Sequence, residues 1–187
     1  DTTINKPLDM PEDPPRHPLG VVDENAALRL ILEGTATATG EKFFEALVIN
    51  LSKALNTHSA WVTEYIVETH QLNALAFWLN GQMLRNELID IAGTPCEAVI
   101  ASTELVHYPD NILHLFPQET HFRDIGAASY MGVPLVGSNG KILGNLAVLD
   151  TRPMPKDARA EAMIRIFGRR AAAELQRIRA EGRVHPS

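Results

Sequence analysis

Two apolar runs in the second half of the chain form its strongest hydrophobic pattern. Residues 129–136 and 141–150 are apolar at most positions, and Asn139–Gly140 lies between them. A tight hairpin turn needs positive φ angles, which an Asn-Gly pair adopts readily. Strands that are apolar on both faces occupy the middle of a sheet with a layer on each side. The pattern therefore predicts a central β-hairpin that the rest of the chain covers.

Helical spacing of apolar residues occurs in three stretches. Asp23 is placed to cap a helix over 24–33, and residues 41–55 have the pattern of an amphipathic helix. Pro153 and Pro155 end the last strand and precede a long predicted helix over 156–181, whose apolar stripe is Ile164, Phe167, Ala171, Leu175 and Ile178. This helix is longer than is needed to cover a small sheet, so we expect an exposed interface or a continuation into another domain.

Strand patterns follow the second helix. They predict strands over 59–66, 72–79 and 84–91, with a tight turn at Asn80–Gly81. The third strand is shorter and more polar, which favours a position near an edge.

The segment between these strands and the central hairpin contains only short elements. Thr94-Pro95-Cys96-Glu97 has the pattern of a capping box and predicts a short helix ending near residue 102. A short strand over 105–108 and helical turns within 110–117 and 121–125 follow. Short elements that carry aromatic residues and histidines are typical of the wall or lid of a cavity.

Composition narrows the class of protein. The chain has 187 residues, of which 45% are hydrophobic and 21% charged, enough for one domain with a real core. A net charge of −6 disfavours nucleic acid as a partner. No apolar run approaches about 20 residues, so no membrane span is predicted. The single cysteine excludes an internal disulfide and fits a cytoplasmic location.

The domain boundaries follow from the same patterns. Residues 1–22 are rich in proline and lack an apolar period, which is typical of a linker or arm. Residues 23–181 form the predicted domain with its terminal helices, and 182–187 form a tail. Because the chain begins at Asp1 without Met, we expect it to be a segment of a larger protein.

The order of predicted elements resembles that of GAF domains, and in particular those of bacterial sensor histidine kinases and related signalling regulators. The segments that carry the resemblance are Gly34–Phe44, Ala76–Trp78, Ala92–Glu97, His107–Asp110, Ser129–Leu135 and Gly144–Leu149. The resemblance implies an α+β fold with an antiparallel sheet of five or six strands and terminal helices on one face. It also implies a pocket on the other face, under short helices and loops, and dimerisation through the terminal helices.

Several chemistries known in that family do not fit the sequence. Cyclic-nucleotide-binding members carry an Asn-Lys and Phe-x-x-x-Asp-Glu pattern, but here Asn5–Lys6 lies in the tail and Phe122 is not followed by Asp-Glu. Bilin-attaching members need a Cys just before a His, and residues 113–122 contain no Cys. Methionine-sulfoxide reductases of this fold need several cysteines. The Ser, His and acidic residues lack a nucleophile-elbow context, so no enzyme is predicted.

Seven residues are the candidates for the pocket lining: Trp78, Cys96, Tyr108, Phe116, His121, Phe122 and Tyr130. The aromatic residues among them are equally compatible with an ordinary core. Cys96 is either a reactive thiol in the first turn of a helix or a small buried hydrophobe. His107, His114 and His121 recur every seven residues without a second-ligand pattern, which favours surface or hydrogen-bonding roles over a metal or haem site.

Three functional hypotheses remain open from the sequence. The first is a non-catalytic sensory module that binds a small molecule and signals through a dimerising C-terminal helix, as in two-component systems. The second is a ligand-free dimerisation or interaction module, whose pocket region would be filled by its own side chains. The third is a sensor that holds haem or a non-covalent bilin, although the sequence requires no cofactor.

Overall fold

A computed structural model describes Arg29 and residues 39–184. The predicted arm over 1–22, most of the predicted helix over 24–33 and the end of the tail lie outside the described residues. The helices are α1 (Glu41–Leu55), α2 (Pro95–Ser102), α3 (Ile112–Leu115), α4 (Thr120–Ile125) and α5 (Ala158–Val184). The strands are β1 (Ser59–Ile66), β2 (Gln71–Leu79), β3 (Gln82–Leu84), β4 (Leu88–Asp90), β5 (Val106–Tyr108), β6 (Ser129–Val136) and β7 (Ile142–Asp150).

All seven strands form one antiparallel sheet in the order β3-β2-β1-β7-β6-β5, with β4 also paired to β2. The predicted central hairpin is β6–β7, and β7 lies in the middle of the sheet with eight of its nine residues buried. The α+β class and the antiparallel sheet are therefore confirmed. None of the helices in the described part of the chain combines the length and apolarity that a bilayer crossing requires.

The two tight turns differ from each other. Asn80 and Gly81 both have positive φ, 43° and 97°, so this pair forms the predicted two-residue turn. In the β6–β7 connection only Gly140 has positive φ, and its N–H donates to the Gly137 carbonyl. That hairpin therefore turns through a longer loop, in which glycine supplies the left-handed residue after the turn.

The predicted third strand is interrupted and counts as two short strands, β3 and β4, which brings the strands within residues 39–184 to seven. Asn86 has φ 54°, and its N–H donates to the Ala74 carbonyl while the Ala74 N–H donates to the Glu87 carbonyl. Asparagine adopts this left-handed conformation more readily than most residues. The break places β3 and β4 opposite different ends of β2.

The terminal helices α1 and α5 cover one face of the sheet. Their apolar stripes pack on β6, β7 and β1 in a core that includes Phe43, Leu47, Ile164, Phe167 and Leu135. The stripe predicted for α5 is confirmed, and burial of such side chains is the main stabilising contribution of this layer. Gly168 allows α5 to approach β6, because a Cβ there would lie 2.9 Å from Val133 Cγ2.

A second core lies on the opposite face, under α2, α3 and α4. It is built from Trp61, Leu72, Ile91, Cys96, Val99, Ile112, Phe122, Ala127, Tyr130, Ala147 and Leu149. The sheet therefore has a covered face on each side, as the two-faced apolar strands predicted. The layer of short helices leaves part of this second face open.

Candidate functional site

A cavity of about 740 Å³ lies on the second face of the sheet, between the β3–β4 segment and α4. Strands β1, β2 and β7 supply its floor, and α2 with the segment before it closes one end. Its lining residues are Trp61, Phe77, Leu79, Leu84, Glu87, Leu88, Ile89, Asp90, Ala92, Gly93, Thr94, Cys96, Gln118, Glu119, Thr120, His121, Phe122, Asp124, Ile125 and Leu149. This volume is in the range of small-molecule sites.

The floor of the cavity is aromatic and apolar. Trp61 on β1 and Phe77 on β2 are cross-strand partners, and their rings stack with centroids 4.9 Å apart and planes 8° apart. Leu149 on β7 continues this surface. Because the rings stack, each covers a face of the other, and only 2% of the Trp61 surface stays exposed.

The mouth of the cavity is acidic. Glu87 and Asp90 lie on the β3–β4 side, and Glu119 and Asp124 lie on the α4 side. Leu88, which is 60% exposed, stands beside them. No lysine or arginine is among the described lining residues.

One polar atom of the floor has no partner. The Trp61 indole is 2% exposed, and its Nε1 makes no hydrogen bond with any described residue. A buried N–H without an acceptor costs about 1–3 kcal/mol, so buried donors are normally satisfied by protein, water or ligand. The Trp61 N–H is therefore enclosed by the protein, with the Cys96 sulphur nearby.

A polar cluster lies beneath the cavity at Cys96. The Tyr130 hydroxyl is 3.3 Å from Cys96 Sγ, and the Thr63 Oγ1 donates to the Asn145 Oδ1 at 2.5 Å. Asn145 Nδ2 is buried without a hydrogen-bond partner, as is Trp61 Nε1. Both donors lie near the Cys96 sulphur and lower the pKa of its thiol, against the larger effect of burial.

Burial decides the ionisation of this cluster. Removal from water raises the pKa of the Cys96 thiol, and the hydroxyl of Tyr130 only partly offsets this. Burial also raises the pKa of Tyr130 well above its ordinary value. Cys96 is thus a neutral, buried thiol in a helix first turn, and the small-hydrophobe interpretation describes it better than the reactive one.

The predicted capping box at α2 is wrong. Thr94 is the N-cap residue and Pro95 begins the helix, as predicted, but the Thr94 hydroxyl donates to the Ile91 carbonyl at 2.7 Å and makes no cap hydrogen bond. The Glu97 carboxylate instead lies 3.0 Å from His70 Nε2, and His70 Nδ1 lies 2.8 Å from the Tyr65 hydroxyl. The His70 contact lowers the pKa of Glu97. Glu97 therefore ties α2 to the β1–β2 hairpin, which fixes the closed end of the cavity.

Three of the seven predicted pocket residues line the cavity: Cys96, His121 and Phe122. Phe122 is 8% exposed and packs from α4 into the second core, whereas His121 is exposed on α4. These three arise from α2 and α4, the short helices that the sequence predicted as wall or lid.

Tyr108, Phe116 and Tyr130 pack against one another beside the cavity and do not line it. The Tyr108 ring centroid lies 5.2 Å from that of Phe116 and 6.1 Å from that of Tyr130. Tyr130 is fully buried. This group fills the half of the second face that lies toward β5.

The prediction that Trp78 faces the pocket is wrong. Trp78 packs against the core under α1 and α5, and its neighbour Phe77 faces the cavity instead. The cause is a β-bulge: Val62 pairs with Ala76 and Thr63 with Ala74, so Leu75 is an extra residue in β2. One extra residue exchanges the faces of every side chain beyond it.

The remaining histidines have structural surroundings. His107 Nε2 lies 2.7 Å from the Met154 carbonyl, which it reaches as a donor, and His114 is exposed. No group of three or more His, Cys, Asp or Glu side chains is arranged to hold a metal ion within residues 39–184.

The fold and the cavity together define an α+β regulatory domain of the sensory type, with helices on one face of the sheet and a roofed cavity on the other. The chain belongs to the GAF domain family, whose model matches residues 39–175. No curated protein matches it significantly in sequence.

Solved structures support the same fold. The GAF domain of a phosphoenolpyruvate-protein phosphotransferase from Acinetobacter superposes with a TM-score of 0.71 at 15% identity, covering 86% of this chain and 98% of that one. The corresponding domain from Coxiella burnetii has a TM-score of 0.70 at 20% identity, covering 86% and 97%. The chromophore-binding domain of Stigmatella aurantiaca phytochrome P1 gives 0.65 at 11% identity, covering 86% of this chain and 62% of that one.

Proposed function

We propose that this GAF domain is a non-catalytic sensory module of a cytoplasmic bacterial signalling protein, such as a member of a two-component system. It binds a small molecule in the cavity between β3–β4 and α4. The observation that carries the proposal is this cavity, which combines the stacked floor of Trp61 and Phe77 with a polar mouth. A domain that used the second face only for packing would have no reason to keep this volume open.

Signal transmission would use the shared strands of the sheet. Trp61 of β1 and Leu149 of β7 face the cavity, while Val62 and Val148 on the same strands pack in the core under α1 and α5. A ligand that shifts these strands changes the packing of α5, provided that it binds two arrangements with different affinity.

Dimerisation is proposed through α5, a helix of 27 residues. Its outer side carries exposed Arg165, Arg169 and Ala173 beside a groove of about 700 Å³ against β6. Small residues such as Ala173 let a second helix approach closely.

Ligand binding is tested by a thermal-shift screen of a metabolite library, with calorimetry of the hits. A hit should bind in a ratio of one per chain, and Phe77→Asp, which places a charge in the floor, should abolish binding. Phe116→Leu, beside but outside the cavity, is the matched control and should bind normally. A library without hits would contradict the sensory proposal.

Dimerisation is tested by sedimentation equilibrium. The chain should form a dimer, Ala173→Arg on α5 should dissociate it, and Ala101→Arg at an exposed position of α2 should leave it intact. A monomer at all concentrations, or equal effects of the two substitutions, would contradict the proposed role of α5.

A second candidate function is the ligand-free interaction module. The mutual packing of Tyr108, Phe116 and Tyr130, which fills half of the second face with the chain's own side chains, favours it. A dimer that binds no library member would support this candidate over the sensory one.

A haem or bilin sensor has less support. Both cofactors carry propionate carboxylates, and the mouth of this cavity carries four carboxylates without a lysine or arginine among the described lining residues. Like charges at close range are unfavourable. The residues present therefore do not fit either group.

A further inference from the structure

The groove beside α5 lies along an unpaired stretch of the sheet edge. Strand β5 pairs only with residues 130–132 of β6. Residues 133–136 therefore have no strand on that side within the described part of the chain, and they contribute the floor of the groove. Pro134 supplies no backbone N–H to a further strand there. An occupant of this groove must therefore bind mainly through side chains.

Helix α5 forms one rim of the groove and runs in the same direction as β6. Gly168 lies against Val133, where an added Cβ would be 2.9 Å from Val133 Cγ2. About two turns later, Gln176 Nε2 donates to Ser138 Oγ at 3.0 Å. Arg169, the residue after Gly168, is therefore level with the β6 residue that follows Val133.

The segment just before β5 forms the other rim. Continued by two residues, the antiparallel register of Val106 with Gly132 places Glu104 level with Pro134, across the groove from Arg169. The side chains of Glu104 and Arg169 are exposed and make no ion pair with the described residues. The two rims therefore carry opposite charges at the same level, and neither charge has a partner in the described part of the chain.

Between the charged rims the groove is apolar and lined by small residues. Val136 in the floor is 45% exposed, which is unusual for a large apolar side chain in a strand. Ala172 and Ala173 on α5 leave room for a second surface to approach closely. An apolar centre with a charged rim is the usual composition of a protein interface.

The charges of the rims are self-complementary about a two-fold axis that runs along the groove. Rotation about this axis keeps every level and exchanges the rims, so Arg169 of each copy faces Glu104 of the other. A two-fold axis across the groove would instead place Arg169 against Arg169 and Glu104 against Glu104. Like charges in contact are unfavourable, so the charge pattern selects the first axis.

We propose that a second copy of this chain docks in the groove about the axis along it, with two ion pairs between Arg169 and Glu104. The two α5 helices then run in the same direction, and both C-terminal ends leave the dimer on the same side. This inference rests on the proposed dimerisation through α5 and adds its contacts and its orientation.

The test reverses the charges and measures self-association by sedimentation equilibrium. Glu104→Arg and Arg169→Glu each turn both attractive contacts into repulsive ones. Each variant should therefore dimerise at least about tenfold more weakly than wild type. Glu68→Arg, in the exposed β1–β2 turn, is the control and should dimerise as wild type does. Circular dichroism and thermal unfolding verify that each variant is folded.

An equimolar mixture of the two variants tests whether the contact is between copies. A heterodimer of Glu104→Arg with Arg169→Glu has opposite charges at both contacts, so the mixture should associate about as tightly as wild type. A change confined to one chain cannot produce this rescue. Added salt should reduce the difference between the mixture and the separate variants, because the rims are exposed.

The outcomes distinguish this inference from the proposed function. A mixture that associates no more tightly than the separate variants would overturn the inference. Tighter association of Arg169→Glu with wild type than of wild type with itself would also overturn it, because it indicates the axis across the groove. If Ala173→Arg dissociates the dimer but the charge reversals have no effect, dimerisation through α5 stands and this inference is wrong. If wild type is a monomer at all concentrations, both fail.

Discussion

The Glu174 carboxylate on α5 accepts a hydrogen bond from the Gly40 backbone N–H, with 3.1 Å between oxygen and nitrogen. Gly40 is the residue before α1, so this contact joins the C-terminal helix to the start of the first described helix. Glu174 is 6% exposed and is also bonded by the Arg177 guanidinium. A negative charge near a helix N-terminus is stabilising, because the unpaired N–H groups there carry partial positive charge. The pair therefore fixes the relative position of the two helices that cover the sheet.

Glu174→Gln is expected to destabilise the domain by about 1–2 kcal/mol, because it removes a charge that two donors share in a nearly buried position. Urea denaturation near neutral pH measures this. Glu181→Gln is the matched control, since Glu181 also bonds Arg177 but is largely exposed. Its effect should stay within about 0.5 kcal/mol. Equal effects of the two substitutions would contradict the role given to Glu174.

The same contact makes the stability dependent on pH in the acidic range. Arg177 and the Gly40 N–H lower the pKa of Glu174 in the folded state. A lowered carboxyl pKa contributes stability that is present above the unfolded pKa, near 4.5, and is lost as pH falls through the folded value. The stability gap between wild type and Glu174→Gln should therefore shrink as pH falls below about 4.5 and close once the pH has passed the folded value. A gap that stays constant throughout acid titration would show that the charge of Glu174 does not matter.

Strong local periodicity made the sheet face that α1 and α5 cover predictable. The predicted bounds of α1 and β1 agree with the structure because each segment has one unbroken apolar period and ends at a clear polar or small residue. The face of Trp78 was not predictable in this way. Strict alternation from Leu72 places Trp78 on the cavity side, but the extra residue Leu75 reverses the pattern. Nothing local in the sequence of β2 marks that bulge.

The cavity itself was only partly predictable. Cys96, His121 and Phe122 lie in short elements whose composition indicated a wall or lid, and they do line it. Trp61 was seen only as a strand residue, although its alternation with Ala60 and Val62 could have placed it opposite them. The acidic mouth joins residues from β3–β4 and α4 that are distant in the sequence. Such a set forms only through tertiary packing, so no local pattern reveals it.

Gly168→Ala is expected to destabilise the domain by about 1–2 kcal/mol. The added Cβ would lie 2.9 Å from Val133 Cγ2, so α5 must shift away from β6, and this outweighs the better helix propensity of alanine. Gly182→Ala is the control on the same helix, where an added Cβ meets nothing within 4 Å. It should stabilise by up to about 1 kcal/mol. Thermal unfolding measures the stability of both variants. A stability change of the same sign in both would contradict the close packing of α5 against β6.

Tyr130→Phe is expected to cost about 1 kcal/mol, because it removes the hydroxyl that contacts Cys96 Sγ in a buried position. Tyr108→Phe is the control, since the Tyr108 hydroxyl makes no hydrogen bond with the described residues and the side chain is only half-buried. Urea denaturation should place Tyr108→Phe within about 0.5 kcal/mol of wild type. If Tyr130→Phe leaves the free energy of unfolding unchanged, the contact between the Tyr130 hydroxyl and the Cys96 thiol contributes no stability.

The reactivity of Cys96 follows from its burial. The thiol is 4% exposed, and burial raises its pKa, so the thiolate that reacts with iodoacetamide is scarce near neutral pH. We expect alkylation of the folded domain to be much slower than in denaturant, because burial both keeps the thiol protonated and shields the sulphur from the reagent. Mass spectrometry measures the rate unambiguously, because the chain has one cysteine.

The raised pKa of Cys96 also gives the folding stability a pH dependence of definite sign. A thiol whose folded pKa is raised contributes stability below its unfolded pKa, near 9, and loses it as pH rises through the folded value. The folded domain should therefore lose stability above about pH 9, and Cys96→Ala should lose less over the same interval. Alkylation as fast in the folded as in the unfolded chain would instead mean that Cys96 is exposed and activated by the start of α2, and the arrangement beneath the cavity would then be wrong.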